Sequence, residues 1–275
     1  MVSQPIIFTD LDGTLLDRDT YSFAAAVPAL QLVEQKQIPL VFCSSKTRAE
    51  ILCWRERLGN HDPFISENGG GIFVPISSFA EDDIRSLWPN AEMIDGYFLL
   101  VLGKPYPILR KTMKDLQRKG FEAKGFGDMS AQEVAQLMKL TLEEAELAKR
   151  REFDEPFVYY GDRRKISALL SSIREKGLRC EQGRLYHLIG DHDKGEAVEA
   201  LKQCYQLKFG SIVTIGLGDS LGDVSMLKKV DYPILVQDHR GEHDRRIALP
   251  NLTKAESIGP EGWDKAVLKL IREVF

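Results

Sequence analysis

Residues 5–14 read PIIFTDLDGT, and this stretch decides the fold. Its apolar first half predicts a short buried strand that ends where Asp10 and Asp12 begin. In open α/β sheets the carboxyl ends of the strands face the crevice in which ligands bind. Two carboxylates held that close repel each other, and a hard divalent cation with a phosphoryl group would remove the conflict. An Asx turn after a strand is the alternative interpretation.

A second acidic pair follows another predicted strand. Residues 211–218 are mostly apolar, and Asp219 and Asp223 come directly after them. Parallel strands bring their carboxyl ends to one edge of a sheet. The sequence therefore predicts that Asp10, Asp12 and Asp219 surround one Mg²⁺, with Asp223 one turn further on as a direct or water-bridged ligand.

Two hydroxyls and an ammonium follow the predicted strand at residues 38–43: Ser44, Ser45 and Lys46. Thr47 and Glu50 then form a predicted capping box for a helix that ends near Gly59. Polar groups ahead of a helix N-terminus can bind a phosphate. Ordinary helix capping is the alternative.

Another capping pair, Asp193 and Glu196, places Lys194 in the first turn of a predicted helix. A cation is unfavourable there because of the helix dipole, and a neighbouring phosphate would offset that cost. A solvated lysine is the alternative interpretation.

Taken in order, these elements resemble the motifs of the haloacid dehalogenase-like hydrolases. Asp10–Thr14 matches the first motif of that family, Ser44 the second, Lys194 the third, and Asp219 with Asp223 the fourth. The resemblance implies a phosphatase in which Asp10 is the nucleophile and Asp12 the general acid and base. It also implies that Ser44 and Lys194 hold the phosphoryl group, and that Mg²⁺ is bound at Asp10, Asp12, Asp219 and Asp223.

The long segment between Ser44 and Lys194 is similar to that of the Cof-type branch of the family, which carries an inserted cap. The resembling strings are FCSSKT (42–47), SENGG (66–70), REFDEPF (151–157) and GRLYHLIG (183–190). The expected fold is α/β, with a doubly wound, mostly parallel Rossmann-like core sheet and an inserted smaller α/β cap. The expected core comprises residues 1–82 and 190–275, and the cap residues 83–189.

The same resemblance implies a set of substrate-binding residues: Ser45, Lys46, Glu67, Asn68, Arg151, Glu155, Arg184 and His187. The Arg184 guanidinium suits a carboxylate such as that of a glycerate. A surface ion-pair cluster is the alternative for Arg184, a structural role for His187, and turn formation for Glu67 and Asn68. One departure from the family stands out: Gly222 replaces the usual Asn, which removes an amide contact to the phosphate or to Lys194.

Composition limits the remaining functions. Of the 275 residues, 43% are hydrophobic and 28% charged, and the net charge is −4. These values predict a globular chain that binds neither nucleic acid nor a membrane surface. The N-terminal residues lack a signal-peptide pattern, and the four cysteines form no CxxC pair, so we expect free thiols and a cytoplasmic location.

The predicted activity is hydrolysis of a phosphomonoester through an aspartyl-phosphate intermediate, with Mg²⁺ as cofactor. The expected partner is a small phosphorylated sugar or glycerate substrate. Two alternatives remain open: a broad sugar-phosphate phosphatase of the same family, and a non-catalytic regulator that binds phosphorylated metabolites. The pattern does not indicate an oligomeric state.

Overall fold

Residues 3–274 are described by a computed structural model, and their strands form two separate sheets. The strands are β1 (Gln4–Thr9), β2 (Leu40–Cys43), β3 (Phe64–Ser66), β4 (Gly71–Pro75), β5 (Glu92–Ile94), β6 (Tyr97–Val101), β7 (Ala123–Gly125), β8 (Asp154–Tyr159), β9 (Arg179–Gln182), β10 (Tyr186–Ile189), β11 (Ile212–Gly218), β12 (Tyr232–Gln237) and β13 (Thr253–Ile258). The helices are α1 (Val27–Gln35), α2 (Arg48–Leu58), α3 (Glu81–Leu87), α4 (Tyr106–Arg118), α5 (Ala131–Met138), α6 (Leu142–Ala148), α7 (Ile166–Arg174), α8 (Lys194–Phe209), α9 (Val224–Leu227) and α10 (Gly259–Val274).

The larger sheet has the strand order β13-β12-β11-β1-β2-β3-β4-β6-β5. Its strands run parallel from β13 to β3, and the β3–β4, β4–β6 and β5–β6 pairs are antiparallel. Alternate residues of β1 enter different apolar clusters. Ile7 packs with α1, α2 and α10, whereas Ile6 and Phe8 pack with α3, α8 and α9. Helices therefore cover both faces, and the predicted doubly wound α/β class is confirmed.

The smaller sheet is antiparallel, with the order β7-β8-β10-β9. Leu109 and Met113 of α4 and Ile173 of α7 are buried against it with Phe157 of β8. Burying each such side chain contributes about 1.5–3 kcal/mol. The inserted segment therefore has an apolar core of its own.

The first boundary of the insert differs from the expected one. Residues 92–94 and 97–101 fall inside the expected cap of 83–189, but β5 and β6 hydrogen-bond into the larger sheet. Phe98 and Leu99 are buried in the two apolar clusters of the larger sheet. Their burial explains why β5 and β6 belong to this sheet and why the insert begins only after them. The division into core and cap thus remains a proposal, with residues 1–101 and 190–275 as the core.

Candidate active site

Three carboxylates from distant parts of the chain meet at one edge of the larger sheet. β1 and β11 are parallel neighbours, and the Asp10 amide donates to the Leu217 carbonyl oxygen at 2.9 Å. As a result, carboxylate oxygens of Asp10, Asp219 and Asp223 lie within 4.8 Å of one another. Strand order alone places these acids together, as the sequence pattern predicted for Asp10 and Asp219.

The Asp12 carboxylate lies outside this group. Its Oδ2 is 2.9 Å from the Lys46 ammonium, and its buried Oδ1 has no hydrogen-bond partner among residues 3–274. The Asp12 carboxylate is therefore separate from the acidic cluster, and the ligand that the family resemblance implies at this position is the Asp12 main-chain carbonyl. Only its main-chain carbonyl remains a candidate ligand, while its carboxyl group is available for proton transfer.

Lys194 joins two of the clustered acids. Its side chain is only 4% exposed, and its ammonium donates to Asp10 Oδ1 at 2.7 Å and to Asp223 Oδ1 at 2.6 Å. Burial lowers the pKa of Lys194, but these two carboxylates raise it well above its usual value. Lys194 is therefore charged at neutral pH, at the position that its capping pair predicted.

Asp223 is almost fully engaged by the protein itself. Its Oδ1 accepts from Lys194, and its Oδ2 accepts from the Asp219 amide and from the amide and hydroxyl of Ser220 at 3.0–3.1 Å. Asp223 is also buried and does not line the cavity described below. It fixes Lys194 and the loop that carries Asp219.

Asp10 and Asp219 differ from Asp223, because they have carboxylate oxygens that accept no hydrogen bond from the described residues. Within the described chain, neither Asp219 oxygen nor Asp10 Oδ2 accepts a hydrogen bond, and both residues face the cavity. Burial raises the pKa of Asp10 to about 7, and burial with the neighbouring Asp223 and Asp10 raises that of Asp219 well above its usual value. A divalent cation would relieve this repulsion, and carboxylate oxygens are ligands that Mg²⁺ prefers. These residues therefore fit a metal ion.

Only some residues of the loop after β2 face the clustered carboxylates. Thr47 and Glu50 form the predicted capping box, with the Glu50 amide donating to Thr47 Oγ1 at 3.1 Å. Ser45 and Lys46 line the cavity. Ser44 does not: it is 1% exposed, and its hydroxyl accepts from the Lys46 amide at 3.3 Å.

A cavity of about 450 Å³ lies between the two sheets and ends at the carboxylates. The predicted site residues that line it are Asp10, Asp12, Ser45, Lys46, Asn68, Arg151, Arg184, His187, Lys194 and Asp219. Ser44, Glu67, Glu155 and Asp223 are buried away from it. Both sheets therefore contribute to one site.

Glu67 has a structural role in place of the predicted substrate contact. It is fully buried, and its carboxylate accepts from the Glu152 amide at 2.9 Å and the Phe153 amide at 2.7 Å. Burial raises the pKa of Glu67 to about 8. Beside it, Phe153 packs so closely that a Cβ on Gly70 or Gly103 would lie less than 3 Å from the Phe153 Cβ. This contact anchors the 152–153 segment to the larger sheet.

Glu155 likewise has a structural role, because its carboxylate contacts other residues of the insert. It is fully buried and accepts from the Tyr106 hydroxyl at 2.6 Å and the Gly127 amide at 3.2 Å, and it pairs with Arg110. It cannot reach a ligand in the cavity, so the prediction that it binds substrate is not supported by its position.

Asp154, which the sequence analysis did not select, orients predicted cavity residues. Its Oδ2 lies 2.7 Å from His187 Nδ1 and accepts a hydrogen bond from the side-chain nitrogen Nδ2 of Asn68 at 3.3 Å. Arg151 lies 3.7 Å from the same oxygen and donates to the Ser45 carbonyl oxygen at 2.9 Å. One buried carboxylate thus fixes side chains from both sheets, but nothing in its sequence context distinguishes it from Glu155.

Known proteins resemble this chain over its whole length. A family model described as haloacid dehalogenase-like hydrolase matches residues 7–92. A Methanococcoides burtonii protein named glucosyl-3-phosphoglycerate/mannosyl-3-phosphoglycerate phosphatase is 46% identical over 268 residues, which cover 97% of each chain. The chain belongs to the haloacid dehalogenase-like hydrolases.

Further relatives agree with this membership. A Persephonella marina protein with the same name as the M. burtonii protein is 39% identical over 272 residues, or 98% of each chain. A Thermoplasma acidophilum protein of known structure shares the fold, with a TM-score of 0.70 at 16% identity, over 98% of this chain and 99% of the other. The full-length similarity to proteins named as phosphatases makes this hydrolase a phosphatase.

The hydrolase also has cavity residues that the sequence analysis missed. They are Arg18, Tyr21 and several members of the segment 238–246, which follows β12. That segment reads DHRGEHDRR, with three arginines and two histidines in nine residues at the carboxyl end of a strand. Its composition was a usable signal, because ligand sites of open α/β sheets lie at such strand ends.

Gly222 lines the cavity of this hydrolase without any steric need for glycine. A Cβ at this position would meet only the Ser220 hydroxyl oxygen, at 3.6 Å. The Cβ of an asparagine, the residue that the family pattern carries there, would therefore meet no close contact.

Two further expectations concern the chain as a whole. None of the helices within residues 3–274 combines the length and apolar character that crossing a bilayer requires. The four cysteines, all in the described part of the chain, are free, as expected. The cytoplasmic location stays a prediction.

Position 13 in the first motif requires glycine for two reasons: its backbone conformation and the close approach of Asp219. Its φ is +86°, and a Cβ there would lie 2.7 Å from Asp219 Oδ2. Any side chain would therefore push against a carboxylate of the site.

We expect Gly13→Ala to lower kcat/KM by roughly 10²-fold, since small displacements of reacting groups have effects of this size. Gly96→Ala is the matched control, because Gly96 has a φ of +84° and no atom within 4 Å of its Cβ position. Both variants should lose about 1 kcal/mol of unfolding free energy through backbone strain, but Gly96→Ala should keep its activity. Wild-type kcat/KM in Gly13→Ala would contradict the assignment.

Proposed function

We propose that this hydrolase removes phosphate from a glycosyl-3-phosphoglycerate in two steps, with Asp10 as nucleophile and Mg²⁺ as cofactor. The observation that carries the proposal is the grouping of the Asp10 and Asp219 carboxylates and the Lys194 ammonium in the lining of one cavity between the two sheets. The names of the relatives supply the substrate class.

The metal ion would be held by Asp10 and Asp219, with the Asp12 carbonyl as a third ligand that the family resemblance suggests. When bound, Mg²⁺ supplies positive charge to the phosphoryl oxygens. The uncommitted oxygens of Asp10 and Asp219 support this assignment, as does the raised pKa of both residues. Asp223 contributes indirectly, because its own oxygens already bind Lys194 and the 219–220 loop.

In the first step an Asp10 oxygen attacks phosphorus, and the bond to the leaving alkoxide breaks. Lys194, already fixed against Asp10 at 2.7 Å, places its positive charge beside the developing negative charge. Asp12 donates a proton to the alkoxide. Lys46, at 2.9 Å, fixes the Asp12 carboxyl group, whose Oδ1 has no partner among the described residues.

In the second step the ionised Asp12 takes a proton from a water molecule, which attacks the aspartyl phosphate and releases inorganic phosphate. Asp10 returns to its starting form. Both steps depend on positioning and electrostatics more than on further covalent chemistry at the protein.

A substrate panel tests this function. The purified enzyme would be assayed for phosphate release from mannosyl- and glucosyl-3-phosphoglycerate, hexose phosphates and p-nitrophenyl phosphate. We expect kcat/KM for one or both glycosyl phosphoglycerates to exceed the others by at least about 10²-fold. Chelation with EDTA should abolish turnover, and added Mg²⁺ should restore it. Equal kcat/KM over the panel, or turnover that survives EDTA, would contradict the proposal.

A further inference from the structure

The cations that line the cavity differ in whether they already have an acidic partner. Most of them do: Lys46 pairs with Asp12, Lys194 with Asp10 and Asp223, Arg151 with Glu50 and Asp154, Arg240 with Asp238, and Arg246 with Asp244. Across residues 3–274, the cavity-lining cations without a carboxylate partner are Arg18 and Arg184. Their guanidinium groups are available for an anionic ligand.

Arg18 lies on the larger-sheet side of the cavity, close to the carboxylates. It is half-buried, and its Nη1 lies 2.9 Å from His239 Nδ1, which accepts the hydrogen bond when that nitrogen is unprotonated. Arg18 is in the segment that follows β1, and His239 follows β12. These strands flank β11, the strand that Asp219 follows, and all three residues line the cavity. Arg184 approaches from the insert, where its nearest hydrogen-bond acceptor is the Leu137 carbonyl oxygen at 3.5 Å.

The proposed substrate has a second anionic group close to the phosphate. In a glycosyl-3-phosphoglycerate the phosphate and the carboxylate are at the two ends of one glycerate, about 5 Å apart from standard bond lengths. The sugar branches from the carbon between them and can extend toward the insert. A cation that binds the carboxylate must therefore lie beside the phosphate, on the larger-sheet side.

We propose that Arg18, held in place by His239, binds the glycerate carboxylate of the substrate. The assignment rests on the proposed function and adds a specificity residue to it. A guanidinium group suits a carboxylate because its two parallel N–H groups match the two oxygens. Arg18 pairs with no carboxylate among residues 3–274, and it lines the cavity together with Asp10 and Asp219.

The test compares two esters that differ only in the charge at issue. One is the glycosyl-3-phosphoglycerate, and the other is the same glycoside with a hydroxymethyl group in place of the carboxylate. Arg18→Met should reduce kcat/KM for the first by about 10- to 100-fold, the effect of losing a hydrogen bond to a charged group. It should leave kcat/KM for the second unchanged.

Arg246→Met is the matched control, because Arg246 lines the same cavity but already pairs with Asp244. It should not change the ratio between the two esters. Arg18→Lys retains the charge but not the paired N–H groups, so it should give an intermediate ratio, and it keeps the test valid if Arg18→Met fails to fold.

The outcomes separate this proposal from the function on which it rests. An equal loss with both esters, or no loss with either, overturns the role of Arg18 while the wild-type activity still supports the proposed function. A wild-type enzyme that does not hydrolyse the glycosyl phosphoglycerate overturns both.

Discussion

Replacing Asp10 by Asn is expected to reduce kcat by roughly 10⁴-fold or more, as removal of a nucleophile does in other hydrolases. Asparagine has the same shape but cannot form the acyl phosphate. The fold should be preserved, because Lys194 keeps its bond to Asp223. The measurement is kcat for a glycosyl-3-phosphoglycerate and for p-nitrophenyl phosphate, together with the thermal midpoint.

Asp17→Asn is a suitable control for this substitution. Asp17 lies in the same segment, and its Oδ1 accepts from the Asp19 and Thr20 amides, which an asparagine oxygen can also do. Activity near the wild-type value is expected there. If Asp10→Asn retained a kcat within a factor of ten of wild type, another group would have to be the nucleophile.

Replacing Lys194 by Met should lower both activity and stability. Loss of one charged donor at a reacting oxyanion reduces kcat by about 10²–10³-fold. Because Asp10 and Asp223 would be left buried without their cation, the free energy of unfolding should fall by about 3–5 kcal/mol. The pKa of Asp10 should rise further, so the acidic limb of the kcat/KM profile should move to higher pH.

The measurements for Lys194→Met are a pH–rate profile and urea unfolding. Lys202→Met is the control: Lys202 lies on the same helix, α8, and pairs with Glu199 near the surface. Because Lys202 also donates to the Lys229 carbonyl oxygen at 2.7 Å, its substitution should lower the unfolding free energy by about 1 kcal/mol, well below the loss expected for Lys194→Met. An unshifted pH profile for Lys194→Met would show that Lys194 does not control the ionisation of Asp10.

The elements that the sequence predicts well depend on local chemistry. The Thr47–Glu50 box begins α2 as expected, and Gly59 ends it with a φ of +61°. The strands before Asp10 and Asp219 are β1 and β11, since short apolar runs bounded by acids have few other stable arrangements. The predicted proximity of these acids followed from a rule about parallel strands rather than from any contact visible in the sequence.

The incorrect or missing assignments depend on long-range packing. The sequence predicts that Glu67 and Glu155 bind substrate, but both carboxylates are buried and accept hydrogen bonds from backbone amides and a tyrosine hydroxyl of distant segments. Charged and proline-containing segments precede residues 97–101, and this pattern predicts that they belong to the insert. Their pairing with β4 depends on a register that local patterns do not encode. The sequence alone does not indicate Arg18, because its partner, His239, is far away along the chain.

The close packing of Phe153 has a mechanical consequence for opening of the site. Gly70, Gly103 and Phe153 touch one another, and Gly190 adjoins Lys104, so the segments that link the two sheets converge at a single pivot. A rotation about a pivot moves distant atoms through longer arcs than nearby ones. Arg151, two residues from Phe153, would keep its contact with the Ser45 carbonyl oxygen, while Arg184, which hydrogen-bonds within the insert, would move with the insert. Entry and exit of the substrate would therefore change the insert side of the site and leave the side with the clustered carboxylates assembled.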